Sequence, residues 1–126
     1  MEGTSKSSDY AGDFATPEQK MGAFDTLTAW ESCITVARQW AWKPNDSVKS
    51  ARECIRTLVT TAGGGGNLLL NVGPMPDGRI ERRQLEILVE VGDWLEDYGK
   101  TIYGTSGGPL PPREWGVTTH RGGKIY

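Results

Sequence analysis

The most constraining feature of this sequence is residues 63–74, which read GGGGNLLLNVGP. Four consecutive glycines predict the end of a preceding helix, because glycine stabilises no helix and tolerates positive φ. Leu68, Leu69 and Leu70 follow without polar alternation, which predicts a strand buried on both faces. Such strands belong to parallel sheets covered by helices, or to barrels of parallel strands. The polar and turn residues 71–74 mark the carboxyl end of this strand, which is where parallel α/β folds bind ligands.

Length and composition limit the class of protein. The chain has 126 residues, 37% hydrophobic and 24% charged, which predicts one globular domain at most. The formal net charge of −2 disfavours a nucleic-acid partner. No apolar run has the length that a membrane span needs, so no membrane partner is expected. Cys33 and Cys54 lie in apolar patterns, which predicts free buried thiols and neither a metal site nor a cofactor.

The first half of the chain predicts a strand, a loop and a helix. Residues 1–12 predict loop or disorder, and residues 16–19 (TPEQ) predict a short helix with a capping threonine and a proline at its first position. Residues 30–36 predict a strand, because they are rich in aromatic and β-branched residues. A loop with two tryptophans follows, and Ser47 predicts the cap of a helix that the four glycines end.

The second half repeats this order after the leucine strand. Residues 75–78 (MPDG) predict a turn, and residues 81–98 predict a second helix that Gly99 stops. The apolar positions of this helix predict a buried face formed by Leu85, Leu88, Val91, Leu95 and Trp94. Strand, helix, strand, helix is the order of βαβ units.

The carboxyl-terminal residues predict a different kind of structure. Residues 104–114 predict a linker rich in glycine and proline, residues 115–120 a half-buried strand, and residues 122–126 a turn with a return strand. Two strands and two helices cannot cover a leucine strand on both faces, and a (β/α)₈ barrel needs about 250 residues. The pattern therefore predicts a piece of a larger fold, cut at both ends.

Four segments carry a family resemblance. Three of them read WESCITVARQWAW, GGGGNLLLNVGPMPDGRI and DWLEDYGKTIYGT, and the fourth is the helix after Ser47. In this combination the chain closely resembles the retaining alpha-L-fucosidases among the glycoside hydrolases, from about Gly12 to its last residue. The resemblance implies an α/β fold, with residues 1–104 as the carboxyl-terminal part of a (β/α)₈-like (TIM) barrel. It also implies a linker at residues 105–114 and the truncated start of a β-sandwich at residues 115–126.

The same resemblance implies the chemistry. Terminal alpha-linked L-fucose would be hydrolysed from a fucosylated oligosaccharide or glycoconjugate, with retention, through a covalent intermediate. This needs a carboxylate nucleophile and a second carboxyl group that acts first as acid and then as base, about 5 Å apart. In the family the nucleophile is an aspartate at the end of an apolar strand upstream of Gly12. Residues 1–11 contain no such strand, since Asp9 lies in a serine-rich segment, which implies that this chain lacks the nucleophile and is inactive alone.

Two glutamates are candidates for the acid/base. Glu18 falls where several relatives carry the acid/base glutamate, although a glutamate in a first helical turn is also favoured by the helix dipole. Glu31, at the start of the predicted strand, is the rival candidate. From the residues alone, Glu31 is interpreted as a structural carboxylate that orders the neighbouring loop.

The remaining candidates lie around the two tryptophans of the loop. Trp40 falls where relatives place an aromatic residue against the fucose methyl group, and a tryptophan that only covers the barrel rim is the alternative. Trp42 is interpreted as packing, and Asn71 as a side chain that holds a site loop by hydrogen bonds. His120 predicts a surface residue.

The charged residues before the second helix form one more cluster. Arg79, Arg82 and Arg83 with Glu81 predict a solvated helix start rather than an anion site.

Two other functions are considered. The alternative function is a non-catalytic carbohydrate- or partner-binding piece that recognises sugar through the aromatic loop alone, and a non-functional fragment is a third reading.

Overall fold

The computed structural model describes residues 14–126, and the prediction for residues 1–12, with Asp9, lies outside them. Over the described range, two parallel strands alternate with two helices, and three short strands follow. The elements are β1 (Glu31–Thr35), α1 (Ala51–Gly63), β2 (Asn67–Asn71), α2 (Arg82–Tyr98), β3 (Ser106–Gly107), β4 (Thr119–Arg121) and β5 (Lys124–Ile125), with one 3₁₀ turn (Gly99–Thr101) after α2.

β1 and β2 pair in parallel, as the sequence predicts. Their register runs from Glu31 opposite Asn67 to Thr35 opposite Asn71. A parallel pair needs a crossover connection, which α1 supplies. The α/β class and the alternating order are therefore confirmed.

The helix α1 begins at a different serine from the one expected. Ser50 is the N-cap: its hydroxyl accepts from the Glu53 amide at 3.2 Å, and the Glu53 carboxylate accepts from the Ser50 amide at 2.7 Å. The Ser50 amide, and after it the Ser50 hydroxyl, donate to the Glu53 carboxylate and hold its pKa below the usual value. Ser47 instead donates its amide to the Asp46 side chain. The reciprocal capping box is available only at Ser50, because only there does a glutamate follow three residues later.

The second helix matches its predicted bounds, but its buried face is rotated. Gln84, Ile87 and Val91 are buried, whereas Leu85 is 50% exposed. The Gln84 side chain accepts from the Gly73 amide at 3.3 Å, which turns this side of the helix towards the strands. The prediction of a buried Leu85 is therefore wrong. Each position along an α-helix turns the side chain by about 100°, so Leu85 cannot face the strands as directly as Gln84 does.

The core lies between the helices and one face of the two-stranded sheet. Its buried members are Val36, Ala51, Cys54, Ile87 and Val91, and Leu70, Leu88 and Leu95 are among the half-buried residues packed against it. Cys54 is free and only 1% exposed, which confirms the prediction of a free buried cysteine there, and this burial raises the pKa of its thiol. The other free thiol, Cys33, is only half buried.

The leucine strand does not have two buried faces within the described residues. Paired residues of neighbouring strands project on one side of a sheet, and successive residues project on opposite sides. Leu68 and Leu70 share the face of the helices, whereas Leu69, paired with Cys33, lies on the opposite face and is 44% exposed. α1 and α2 both cover the same side, which agrees with the prediction that two strands and two helices cannot cover the leucine strand on both faces.

The helix predicted at residues 16–19 is also absent. The chain runs extended beside β1: the Cys33 amide donates to the Pro17 carbonyl at 3.0 Å, and the Gln19 amide donates to the Cys33 carbonyl at 2.9 Å. The fixed φ of proline suits an edge strand as well as a first helical turn. Long-range pairing with β1 therefore decides the conformation of residues 15–19, which we call the edge segment.

The carboxyl-terminal strands form one antiparallel sheet in the order β3-β4-β5. The turn at Gly122 and Gly123 has positive φ values of 55° and 78°, which confirms the predicted hairpin. β3 lies inside the predicted linker of residues 105–114, and β4 begins at Thr119, while Trp115 is 76% exposed. Among residues 14–126, neither main helix has the length and apolar character of a membrane span.

Candidate functional site

The chain leaves the carboxyl end of β1 into residues 37–46, which we call the aromatic loop. The loop closes on itself through an antiparallel bridge between Ala37 and Val48. Trp40 lies near its middle and is 41% exposed. An open depression of about 570 Å³ is lined by residues 39–43. The exposed ring therefore lies at the carboxyl end of the parallel strands, where this architecture binds ligands.

The carboxyl end of β2 is in direct contact with the aromatic loop. The Asn71 side chain donates to the Trp40 carbonyl at 3.0 Å, which confirms its predicted role in holding a loop. Two residues later, a Cβ at Gly73 would overlap the backbone of residues 40–42. The loop can therefore approach β2 this closely only because residue 73 is glycine.

A second set of contacts joins the loop to the start of α2. The Trp42 indole donates to the Glu81 carboxylate at 3.0 Å, and Arg83 forms an ion pair with the other oxygen of Glu81. This Arg83 contact holds the pKa of Glu81 below its usual value, and the Trp42 contact acts in the same direction. Arg83 also donates to the Asp46 carbonyl at 2.9 Å. Trp42 therefore packs against the start of α2. Packing is the role that the sequence predicts, but the polar partner Glu81 was not apparent from the sequence.

The solvated helix start that the arginines predict is only partly observed. Arg79 pairs with Asp77 and Arg82 with Glu86, and all four side chains are exposed. Glu81, by contrast, has a side chain that is only 17% exposed. The prediction is wrong for Glu81, because its partner Trp42 lies in the aromatic loop, some forty positions away in the chain, where no local pattern signals it. Arg83 is exposed as predicted, although it also binds the end of that loop.

Asp46 closes the far end of the loop. It is only 8% exposed, and its two carboxylate oxygens accept from the Gln39 and Ser47 amides, each at 2.9 Å. This role is not among the predictions from the sequence, although aspartate side chains commonly bind nearby backbone amides at turns. Because both oxygens are occupied by amides, Asp46 is a structural carboxylate.

Glu18 lies on the face of the sheet opposite to the helices. It forms a parallel bridge with Cys33, which pairs in turn with Leu69, so the three side chains project on the same side. The next residue, Gln19, has a φ of 50°, and the chain then reverses. Glu18 is therefore the second-last residue of the edge segment, directly before the reversal, and it is exposed.

Glu31 projects on the same face but at the amino end of β1. It lies two residues before Cys33, which is about 6.6 Å further from the carboxyl ends of the strands. Glu31 is half buried and lines a cavity of about 610 Å³ with Gly65, Gly66 and Asn67. Although this cavity is the larger of the two, we place the candidate site at the aromatic loop, because parallel strands present their ligand-binding loops at the carboxyl end.

The described aspartates do not supply a nucleophile at this end. Asp46 is held in its loop, Asp77 is paired with Arg79, and Asp93 and Asp97 lie on α2. Asp25 lies at the amino end, where its amide donates to the Gly64 carbonyl. Within residues 14–126, no three histidine, cysteine, aspartate or glutamate side chains group as metal ligands would. The candidates that remain are therefore the exposed carboxyl group of Glu18, beside β1, and the exposed ring of Trp40, on the loop that follows β1.

His120 lies away from this site. It belongs to β4 and is half buried, with its Nδ1 atom 3.4 Å from the Gly108 carbonyl. The sequence predicts a surface residue, but His120 is partly buried because β3 and β5 flank it.

The sequence of this chain matches a known protein family. A sequence model of the alpha-L-fucosidase family matches residues 2–100. An alpha-L-fucosidase of Dictyostelium discoideum is 33% identical over 103 residues, which are 77% of this chain and 22% of that protein. The human tissue alpha-L-fucosidase is 38% identical over 78 residues, which are 59% of this chain and 17% of that protein.

Solved structures agree with the sequence matches. Alpha-L-fucosidase isoenzyme 1 of Paenibacillus thiaminolyticus superposes with a TM-score of 0.86 at 38% identity, over 92% of this chain and 29% of that one. A family 29 enzyme of Bacteroides thetaiotaomicron, solved as a trapped covalent intermediate, superposes with a TM-score of 0.79 at 27% identity, over 86% of this chain and 27% of that one. The chain thus spans less than a third of each of these relatives.

Proposed function

Because the chain belongs to the alpha-L-fucosidase family, we propose that it supplies one part of the catalytic site of a retaining alpha-L-fucosidase. The reaction is hydrolysis of terminal alpha-linked L-fucose from a fucosylated oligosaccharide or glycoconjugate, through a covalent glycosyl-enzyme intermediate. The observation that carries this proposal is the shared position of Glu18 and the aromatic loop around β1. Glu18 ends a strand-like segment beside β1, and Trp40 lies on the loop that leaves the end of β1.

In this proposal Glu18 is the acid/base. It donates a proton to the glycosidic oxygen as the aglycone leaves and the fucosyl group becomes bonded to the nucleophile, and then takes a proton from the water that hydrolyses the intermediate. An exposed carboxyl group before a chain reversal can reach a sugar that is bound at the carboxyl end of the strands. Glu31 is the less favoured candidate, because it lies at the opposite end of β1 and faces a cavity formed with the glycine run.

Trp40 supplies the binding surface in this proposal. L-fucose is a deoxysugar with an apolar methyl group, and an aromatic ring buries such a patch without leaving a polar group unpaired. The backbone of Trp40 is held by Asn71, so its ring is presented by a loop of defined conformation. The nucleophile comes from outside the described residues.

The exposed face of the sheet supports the larger fold. Leu69 and Cys33 lie beside Glu18 on the face that the helices leave open. We propose that residues 1–104 form the carboxyl-terminal part of a (β/α)₈-like barrel, whose other strands cover this face. Residues 105–114 are then the connection, and residues 115–126 are the start of a β-sandwich. β3 lies in the connection and pairs with β4.

The assignment of Glu18 is tested by kinetics in the longer enzyme that this segment is proposed to belong to. We expect Glu18→Ala to lose most activity on natural glycosides and less on aryl fucosides, whose leaving group departs without protonation. Added azide should restore part of the rate, because it replaces the base-activated water in the second step. The 126-residue chain alone is expected to show no turnover, since its described residues hold no nucleophile.

Glu31→Ala is the matched control. It removes a carboxylate from the same face of the sheet, and we expect lower stability and lower activity together, with no azide rescue. Azide rescue of Glu31→Ala without rescue of Glu18→Ala would reverse the two roles.

A further inference from the structure

The aromatic loop has an anchor that the proposed function does not use. The aromatic loop is ten residues long (37–46), and ordering such a loop costs conformational entropy in every residue. If the loop were ordered only when sugar binds, that cost would be taken from the binding free energy. The contacts that order the loop beforehand therefore affect how strongly Trp40 can bind a ligand.

Glu81 is placed to order the loop at two points. One carboxylate oxygen accepts from the Trp42 indole at 3.0 Å, and the other pairs with Arg83. Arg83 in turn donates to the Asp46 carbonyl. A single carboxylate thus connects directly to the middle of the loop and, through an arginine, to its end.

The element that carries Glu81 is itself rigidly held. Glu81 is the N-cap residue of α2, and the next turns bury Gln84, Ile87 and Val91 against the strands and α1. The Glu81 side chain is 17% exposed, so its contacts are shielded from water more than those of a surface ion pair. Neither carboxylate oxygen is left without a partner.

From this arrangement we propose that Glu81 is a positioning residue for sugar binding, which holds Trp42 and thereby fixes the orientation of Trp40 two residues away. The ligand class is a deoxysugar with an apolar face, so this inference rests on the proposed function. Glu81 does not touch the sugar. Its effect is on the conformation of the aromatic loop before binding.

The loop conformation is measured first, without sugar. NMR spectra of the indole N–H groups of the 126-residue chain report the environment of each tryptophan, with the signals of Trp40 and Trp42 assigned by single changes to phenylalanine. We expect Glu81→Ala to speed exchange of the Trp42 indole hydrogen with water by about tenfold or more, the factor that loss of a hydrogen bond to a charged group allows. The Trp40 signal should shift as well, because its loop loses an anchor.

Two further variants separate positioning from a general loss of structure. Glu81→Gln keeps an oxygen that can accept from the indole, so Trp42 exchange should stay within about twofold of the original rate. Glu86→Ala is the matched control: it removes another carboxylate of α2 that is paired with an arginine, at an exposed position away from the loop. It should leave both tryptophan signals unchanged.

The proposal is overturned if Glu81→Ala moves the Trp40 signal no more than Glu86→Ala does, or if Glu81→Gln behaves like Glu81→Ala. Should Glu81→Ala fail to fold, Trp42→Phe decides, because it removes only the donor. An unchanged Trp40 signal in Trp42→Phe contradicts the proposal, and a shifted one supports it.

A titration with L-fucose then tests the link to sugar. We expect the fucose dissociation constant to rise about threefold or more in Glu81→Ala, while Glu81→Gln stays near the original value. Trp40→Ala should abolish the fucose-dependent signal. If the unchanged chain shows no such signal, the role of Trp40 in the proposed function and the sugar-binding part of this inference both fail. The exchange rates still decide separately whether Glu81 positions the loop.

Discussion

The two ends of the β1–β2 sheet depend on different sets of contacts: polar side chains supplement the close approach at Gly73 at the carboxyl end, whereas several glycines set the packing at the amino end. At the carboxyl end, polar side chains hold the aromatic loop: Asn71, Glu81 and Asp46 each bind atoms of that loop. At the amino end, segments approach until their backbones touch, and glycine makes this possible. A Cβ at Gly107 would overlap the backbone of Gly65.

The glycine run shows how many segments meet at the amino end. A Cβ at Gly63 would overlap the Val117 side chain, and one at Gly66 would overlap the Trp30 ring. Gly65 has a φ of 90° and lies against the Asp25 carbonyl. The run that dominates the sequence therefore serves assembly of β3, the turn before β4 and the loop before β1. The candidate ligand site depends on less conspicuous residues.

This difference predicts that the glycine contacts of the amino end tolerate less change than the side-chain hydrogen bonds of the carboxyl end. The largest effect is expected for Gly107→Ala, because the added methyl group meets fixed backbone that cannot rotate away. Overpacking of this kind costs roughly 1–3 kcal/mol in the free energy of unfolding. Denaturant unfolding followed by circular dichroism measures it.

Gly92→Ala is the control for this prediction, since no atom lies within contact distance of a Cβ at that position of α2. Alanine favours a helix over glycine by about 1 kcal/mol, so this variant should be slightly more stable. Equal destabilisation by both changes would show that the amino end has no special packing requirement.

A smaller effect is expected at the carboxyl end. Asn71→Ala removes the hydrogen bond to the Trp40 carbonyl, and we expect a loss of about 0.5–1.5 kcal/mol in the free energy of unfolding. Backbone hydrogen exchange should become faster in the aromatic loop and stay unchanged in β3.

Asn67→Ala is the matched change at the other end of β2, where the residue is exposed and faces the amino-end cavity. It should leave exchange in the aromatic loop unchanged. The comparison between the two ends fails if Asn71→Ala destabilises the chain more than Gly107→Ala does.

The smallest effect concerns acid. Arg83, with a contribution from Trp42, holds the pKa of Glu81 below the ordinary value of 4.5, although the nearby Asp46 opposes this. A lowered folded-state pKa means that the contact contributes stability above pH 4.5, and that this stability is lost as the pH falls through the lower folded value. The Trp42 indole signal should therefore start to move only below the normal range of glutamate.

Arg83→Ala tests the cause of that shift. Without the guanidinium, the midpoint of the Trp42 transition should rise towards the ordinary glutamate value. An unchanged midpoint would mean that Arg83 does not control the charge of Glu81.

Several features of this protein follow from the sequence by itself. The two strands, the helix that ends at the glycine run and the helix that Gly99 stops were all predicted with nearly correct bounds. These features depend on hydrophobic periodicity and on terminating residues, which act over a few neighbouring positions. The resemblance to alpha-L-fucosidases also depends on the sequence alone, and the family match confirms it.

Other features were decided only by the tertiary structure. Residues 16–19 carry the signals of a helix start, yet they are extended because β1 supplies hydrogen bonds to them. Leu69 resembles its neighbours in sequence, but pairing with Cys33 places it on the face away from the helices. Glu81 resembles any charged residue at a helix start until Trp42 is found beside it. In each case the deciding partner is distant in the chain, so the free energy that selects the conformation has no signature in the local sequence.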